Sequence, residues 1–152
     1  MDYKLLQSQM LALLADESDP LANTSNFVAL LNSALDDINW LGVYVLRGNE
    51  LVLGPFQGLP ACVRIPVGKG VCGTAAEKLQ TVRVEDVHQF AGHIACDAAS
   101  RSELVVPLII DGQLLAVLDI DSPSVGRFSA TDQAGVEALC TAFCESQPTF
   151  LI

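Results

Sequence analysis

A chain of 152 residues, 51% apolar and 17% charged, is long enough to bury a core without disulfide staples and too apolar for disorder. Eight basic residues against eighteen acidic ones leave a formal charge of -10, which repels phosphate backbones and anionic lipid surfaces and argues against nucleic acid as a partner. Apolar runs such as LVVPLII fall far short of the roughly 20 residues of a membrane span, Pro107 interrupts that one, and no export signal opens the chain. A cytoplasmic protein of one domain, residues 1–152, is expected, and its five cysteines are reduced thiols by default.

Leu5, Leu6, Met10, Leu13 and Leu14 recur at helical spacing and predict a first helix. DPLANTSNFVALLNSALDD predicts a second, with Thr24 or Ser25 as its start signal and Phe27, Leu30, Leu31 and Leu35 facing inward. From Trp40 the period changes: WLGVYVL, the turn RGNE and LVLGPF read as a hairpin with Gly48 and Asn49 at its tip. ACVRIPVG predicts a further strand, GVCGTAAEKLQ a short helix behind glycines, and TVRVEDV another strand.

GHIACDAASRSEL then reads as a polar loop, holding Cys96 outside the core. Behind it, ELVVPLII and QLLAVLDID are joined by Asp111 and Gly112, the strongest hairpin signal in the chain. SATDQAGVEALCTAFCES predicts a closing helix capped by Ser129 or Thr131. Helices at both ends of some six mostly hairpin-connected strands make an α+β domain with a central antiparallel sheet. Its loop-borne chemistry is expected between Gly68 and Glu103 and at the end of LLAVLDID.

The cysteines divide into two groups. Cys140 and Cys144 share a helix face with Val136 and Phe143 and show no third ligand nearby, so core packing is expected of them. Cys62, Cys72 and Cys96 lie at a strand edge, a helix start and a loop, and the helix dipole would favour a thiolate at Cys72. A zinc site from these three with His88 or His93 is an alternative, although no pair has the close spacing of a zinc knuckle. The other alternative is redox chemistry, in which one thiolate attacks, becomes a sulfenic acid and is captured by a second thiol. Cys96 suits the attacking role; Cys62 and Cys72 suit the capturing one.

The three cysteines, with NWLGVYV, GKGVCGTAA, SELVVPL and VLDIDSP, resemble the free methionine-(R)-sulfoxide reductase family, whose fold is a GAF domain. The likeness runs from about residue 25 to 145. It implies a six-stranded antiparallel sheet flanked by helices, a homodimer, and a pocket for free methionine sulfoxide. It implies Cys96 as catalytic thiol, Cys62 as main resolving thiol, Cys72 as a second recycling thiol, and thioredoxin as reductant, with no cofactor and no metal.

Reduction of a sulfoxide turns its oxygen into a leaving hydroxyl, so an acid must stand close by. Glu103, Asp119 and Asp121 are the candidates, and the last two flank Ile120 on one face of a strand, where aspartate is uncommon. Crowded carboxyls cannot all ionise cheaply, so one should keep its proton near neutral pH. By resemblance Glu103 and Asp121 engage the sulfoxide oxygen and Asp119 the ammonium; backbone amides near the loop or the short helix are expected to receive the carboxylate. Trp40 and Tyr44, also on one strand face, read either as core or, by the same resemblance, as pocket residues with Trp40 walling the methyl group. A GAF-type sensor that binds a small ligand without turnover is the competing reading; the end of the chain soon after the last helix argues against it.

Overall fold

The hydrophobic period of 2 beginning at Trp40 is realised as six strands. They are β1 Trp40–Arg47, β2 Glu50–Gln57, β3 Arg64–Pro66, β4 Val82–Val84, β5 Ser102–Ile110 and β6 Gln113–Ser122. The computed structural model describes residues 1–94 and 98–147. The strands form one sheet in the order β3-β2-β1-β6-β5-β4, and every neighbouring pair is antiparallel. The expected antiparallel α+β architecture is therefore present. The β5–β6 turn has Asp111 at φ 52 and Gly112 at φ 76, the two positive angles that a type I′ hairpin requires.

Strand alternation divides the sheet into two chemically distinct faces. Leu41, Val43 and Val45 of β1, Leu104, Val106 and Leu108 of β5, and Ala116, Leu118 and Ile120 of β6 all enter one apolar layer. Against it pack α1 Tyr3–Leu14, α2 Pro20–Ala34 and α4 Ala130–Ser146, with the rings of Phe27 and Phe143 stacked 4.2 Å apart. Each fully buried leucine or phenylalanine there contributes about 2 kcal/mol. The opposite face carries Trp40, Tyr44, Val105 and Val117 and is covered by α3, Gly70–Lys78, through Val71, Cys72, Ala75 and Ala76.

Four elements, α1, α2, β3 and β4, differ from the sequence expectation. Helix α2 begins at Pro20, not at Thr24 or Ser25: Asp19 accepts from the Ala22 N–H, and Pro20 occupies the first turn. Thr24 and Ser25 instead donate to the carbonyls of Pro20 and Leu21 inside the helix. In α1 only Leu6, Met10 and Leu14 face the core, whereas Leu5 is 55% and Leu13 48% exposed, because the i, i+4, i+8 row turns them away. Strands β3 and β4 have three residues each; Asp86 caps a 3-10 turn, Val87–Gln89, where TVRVEDV ends. Among the described residues no helix is long and apolar enough to cross a membrane.

Helix α4 starts at Ser129, whose hydroxyl accepts from the Asp132 N–H while the Asp132 carboxylate accepts from the Ser129 N–H. Thr131 lies inside the first turn. Asp132 also accepts from the Tyr3 hydroxyl at 2.7 Å and pairs with Arg127 at 3.2 Å. Partial burial pushes its carboxyl up, but the bonds from Ser129 and Tyr3 and the Arg127 charge outweigh that and hold it below the usual range. Asp132→Ala should cost about 1 kcal/mol at neutral pH, read as a lower urea midpoint. Because the folded pKa is depressed, the contribution is present above the unfolded value and lost as pH falls through the folded one. The gap between the two chains should therefore close in acid, and a gap that persists there would remove Asp132's charge from the explanation.

Candidate active site

The α3 face holds polar groups where an apolar layer would be expected. Strand alternation sends Asp119 and Asp121 to the same side as Val117, and the register sets Asp121 between Trp40 of β1 and Glu103 of β5. Asp119 lies two pairs along, between Gly42 and Val105. Helix α3 brings Cys72 over them: a Cβ on Gly73 would stand 2.5 Å from the Pro66 carbonyl oxygen, so only glycine lets α3 approach β3 this closely. These groups, with Tyr44, His93 and Lys69, line a cavity of about 40 Å³.

Trp40 and Tyr44 are both core and wall. They are 3% and 2% exposed, belong to the apolar cluster beneath α3 and line the cavity as well. Trp40 stacks between Tyr44 and Phe56, at centroid distances of 5.8 Å and 5.3 Å, and its indole N–H donates to the Leu59 carbonyl at 3.1 Å. A Cβ at Gly42 would stand 2.5 Å from the indole ring, so the ring's position depends on that glycine. The Tyr44 hydroxyl donates to the Cys62 carbonyl at 2.8 Å, which ties the segment before β3 to the site.

The cysteines separate as follows. Cys62 is half-buried and disulfide-bonded. Cys72, Cys140 and Cys144 are free and buried. Cys140 and Cys144 pack in the helix-side layer as expected; burial pushes the Cys140 thiol well up and that of Cys144 to about 11. Cys96 lies outside the described residues.

Cys72 corrects the expectation of an accessible thiolate. It is 4% exposed, and its sulfur lies 3.9 Å from a Glu103 carboxyl oxygen. Burial, then the charges of Asp119, Glu103 and Asp121, push its thiol well above the usual range. A helix dipole is worth about 0.3–1 kcal/mol in its first turn, whereas full burial moves a pKa by several units. The dipole loses.

The carboxyls behave as crowding requires. Burial raises Glu103 well above the usual carboxylate range, and the charges of Asp119 and Asp121 raise it further. Burial also raises Asp119, against hydrogen bonds with Glu103 and Cys72 that favour its charged form. Its Oδ1 is buried without a hydrogen-bond partner. At neutral pH the cluster thus keeps at least one proton, which Glu103 is placed to carry.

His93, considered from sequence only as a zinc ligand, is the neighbour whose role was missed. Its Nε2 stands 3.9 Å from Glu103 Oε1, and burial, then His88, lowers its pKa, so a neutral imidazole faces the carboxyl. His88 itself is exposed and pairs with Asp86 at 3.2 Å, away from the cavity. Ser100, Ser102 and Glu103 are buried, so the stretch read as an outlying polar loop contributes directly to the interior. Asn39 donates to Ser100 at 3.1 Å, and Ser102 donates to the Ser124 carbonyl at 2.6 Å.

Residues 26–143 match the GAF domain family. The free methionine-R-sulfoxide reductase of Escherichia coli (strain K12) is 56% identical over 137 residues, covering 90% of this chain and 83% of its own length. The solved fRMsr of Staphylococcus aureus in complex with substrate superposes with a TM-score of 0.91 at 52% identity, covering 95% of each chain. The chain belongs to the free methionine-R-sulfoxide reductase family. A further member, the free methionine-R-sulfoxide reductase from Neisseria meningitidis in complex with its substrate, is 43% identical with a TM-score of 0.91, covering 95% of this chain and 87% of its own.

On this GAF fold the carboxyl cluster is a burden that the rest of the structure must carry. Replacing a buried, incompletely bonded carboxyl with an isosteric amide relieves charge crowding, so Asp119→Asn should gain about 1 kcal/mol in urea unfolding at neutral pH. Equal or lower stability would show that Asp119 is better accommodated than its orphaned oxygen indicates.

Proposed function

We propose that this chain, as one catalytic domain over residues 1–152, reduces free L-methionine (R)-S-oxide to L-methionine. The observation that carries the proposal is the buried Glu103 carboxyl, paired across the strands with Asp121 and close to Asp119 in a cavity lined by Trp40, where burial and the two neighbouring charges raise its pKa. An acid kept uncharged at neutral pH can donate to a sulfoxide oxygen, the atom that must leave.

The sequence of steps is as follows. The Cys96 thiolate attacks the sulfoxide sulfur while Glu103, with Asp121, protonates the oxygen. In the adduct the S–O bond breaks as the hydroxyl passes to the Cys96 sulfur, and the new bond from Cys96 to the substrate sulfur breaks with its electron pair returning to that sulfur, leaving Cys96 as a sulfenic acid and methionine as a neutral thioether. The Cys62 thiol then attacks the sulfenic sulfur, expelling water and forming a disulfide, which an external dithiol, thioredoxin, reopens by exchange. The disulfide already present at Cys62 and the free state of Cys72 support Cys62 as the main resolving thiol and Cys72 as a secondary one.

Selection for the free amino acid follows from its two charges, since a peptide-linked residue lacks both. Asp119, a residue of the cavity lining with one buried carboxyl oxygen that lacks a hydrogen-bond partner, takes the ammonium. The first turn of α3, whose N-cap Lys69 makes no side-chain cap bond, offers its N–H groups to the carboxylate. Trp40 and Tyr44 form the wall that one epimer's methyl group fits. A homodimer and a cytoplasmic location complete the reading on family resemblance.

Separated epimers of free and peptide-bound methionine sulfoxide, assayed with thioredoxin recycling and a methionine readout, test it. Only the free R epimer should be consumed. Saturable binding without any methionine release would instead identify a ligand sensor. Within the same assay, Cys96→Ser should be inactive, and Cys62→Ser should release about one methionine per chain and stop. If Cys62→Ser loses that first round, the attacking and resolving roles are reversed.

A further inference from the structure

We infer that Cys72, Glu103 and Asp119 form a site for a thiophilic divalent cation, zinc foremost, whose occupancy reversibly blocks the reductase; this rests on the cavity being the substrate site. One sulfur and two carboxyl oxygens, all from buried residues, lie within 4.8 Å of one another, a separation that small rotamer shifts reduce to the span of a tetrahedral zinc. The second observation is independent of that spacing. Asp119 Oδ1 is buried, has no hydrogen-bond partner and belongs to a residue lining the cavity, the condition of an acceptor that awaits a cation.

The donor set selects the metal. Magnesium and calcium require six or more oxygens, whereas a thiolate with two carboxylates and one further nitrogen or water suits zinc. His93 Nε2, 3.9 Å from Glu103 Oε1, is the nearest candidate for the fourth position. The cavity, at about 40 Å³, has room for an ion and a water. Among the described lining residues Lys69 is the one lysine or arginine, and it is exposed. A bound zinc would occupy the places assigned to the ammonium and to the proton on Glu103, and would therefore compete with substrate.

The test is direct titration of the whole protein with Zn²⁺ against a chromophoric chelator, in the form whose Cys62 is disulfide-bonded. Co²⁺ serves as a spectroscopic probe: its thiolate charge-transfer band reports Cys72, and quenching of Trp40, the chain's only tryptophan, reports the cavity. One equivalent should bind, be displaced by free methionine sulfoxide, and weaken by roughly 100-fold in both Cys72→Ser and Asp119→Asn. Absence of binding, or binding unchanged in either variant once its fold is confirmed by circular dichroism, overturns the site. Should Cys72→Ser fail to fold, Asp119→Asn, which keeps the thiol, decides alone. Methionine release measured with a chelator present judges the reductase reading separately, because the titration requires no turnover.

Discussion

Glu103, Asp119 and Cys72 are buried together on one face of a sheet without a basic side chain among them, and the rest of the structure is arranged around that constraint. An ionised carboxylate in such surroundings is strongly disfavoured, so the cluster keeps protons and resists closing completely. The offset comes from the other side of the same strands. In β6, Ala116, Leu118 and Ile120 enter a wholly apolar layer under three helices, while Asp119 and Asp121 alternate onto the site face. One pleated ribbon thus supplies stability on one side and chemistry on the other.

The wall of the site is held more firmly than a surface loop would allow. Trp40 is fixed by Phe56, by the space that Gly42 leaves and by the Leu59 carbonyl. Tyr44, beside it, holds the Cys62 carbonyl. The segment from Leu59 to Cys62 is therefore bonded at two points to the strand that shapes the cavity, so a shift there is felt by both aromatic rings. The aromatic wall of the cavity and the segment that carries Cys62 are mechanically one unit.

Much of this was legible from sequence where the signal was local. Asp111-Gly112 specified its hairpin because its backbone angles suit few other residue pairs. Two aspartates flanking Ile120 stood out because a strand rarely tolerates them without a reason, and both line the cavity. Nonlocal facts were not legible. Asp19-Pro20 started α2 although Thr24 and Ser25 carry the same capping chemistry, because an N-cap depends on backbone angles that composition does not reveal. Ser100 and Ser102 looked exposed because polarity usually means solvent, yet both are buried. Cys72 looked like a thiolate because its helix is visible in the sequence, whereas the carboxyls opposing it arrive from β5 and β6.

That reversal at Cys72 constrains how any reduction here can be organised. Proton donation to an oxygen wants an acid whose anion is destabilised by neighbouring negative charge, which is the state of Glu103. Thiol attack wants the opposite, a sulfur whose anion is stabilised. A single electrostatic environment cannot provide both, and the field that keeps the proton on Glu103 is the one that suppresses the thiolate of Cys72. An acid can stand among the carboxyls, whereas a sulfur buried among them is held as the thiol. Among the described cysteines, the one nearest the acids is therefore poorly suited to begin a thiol attack.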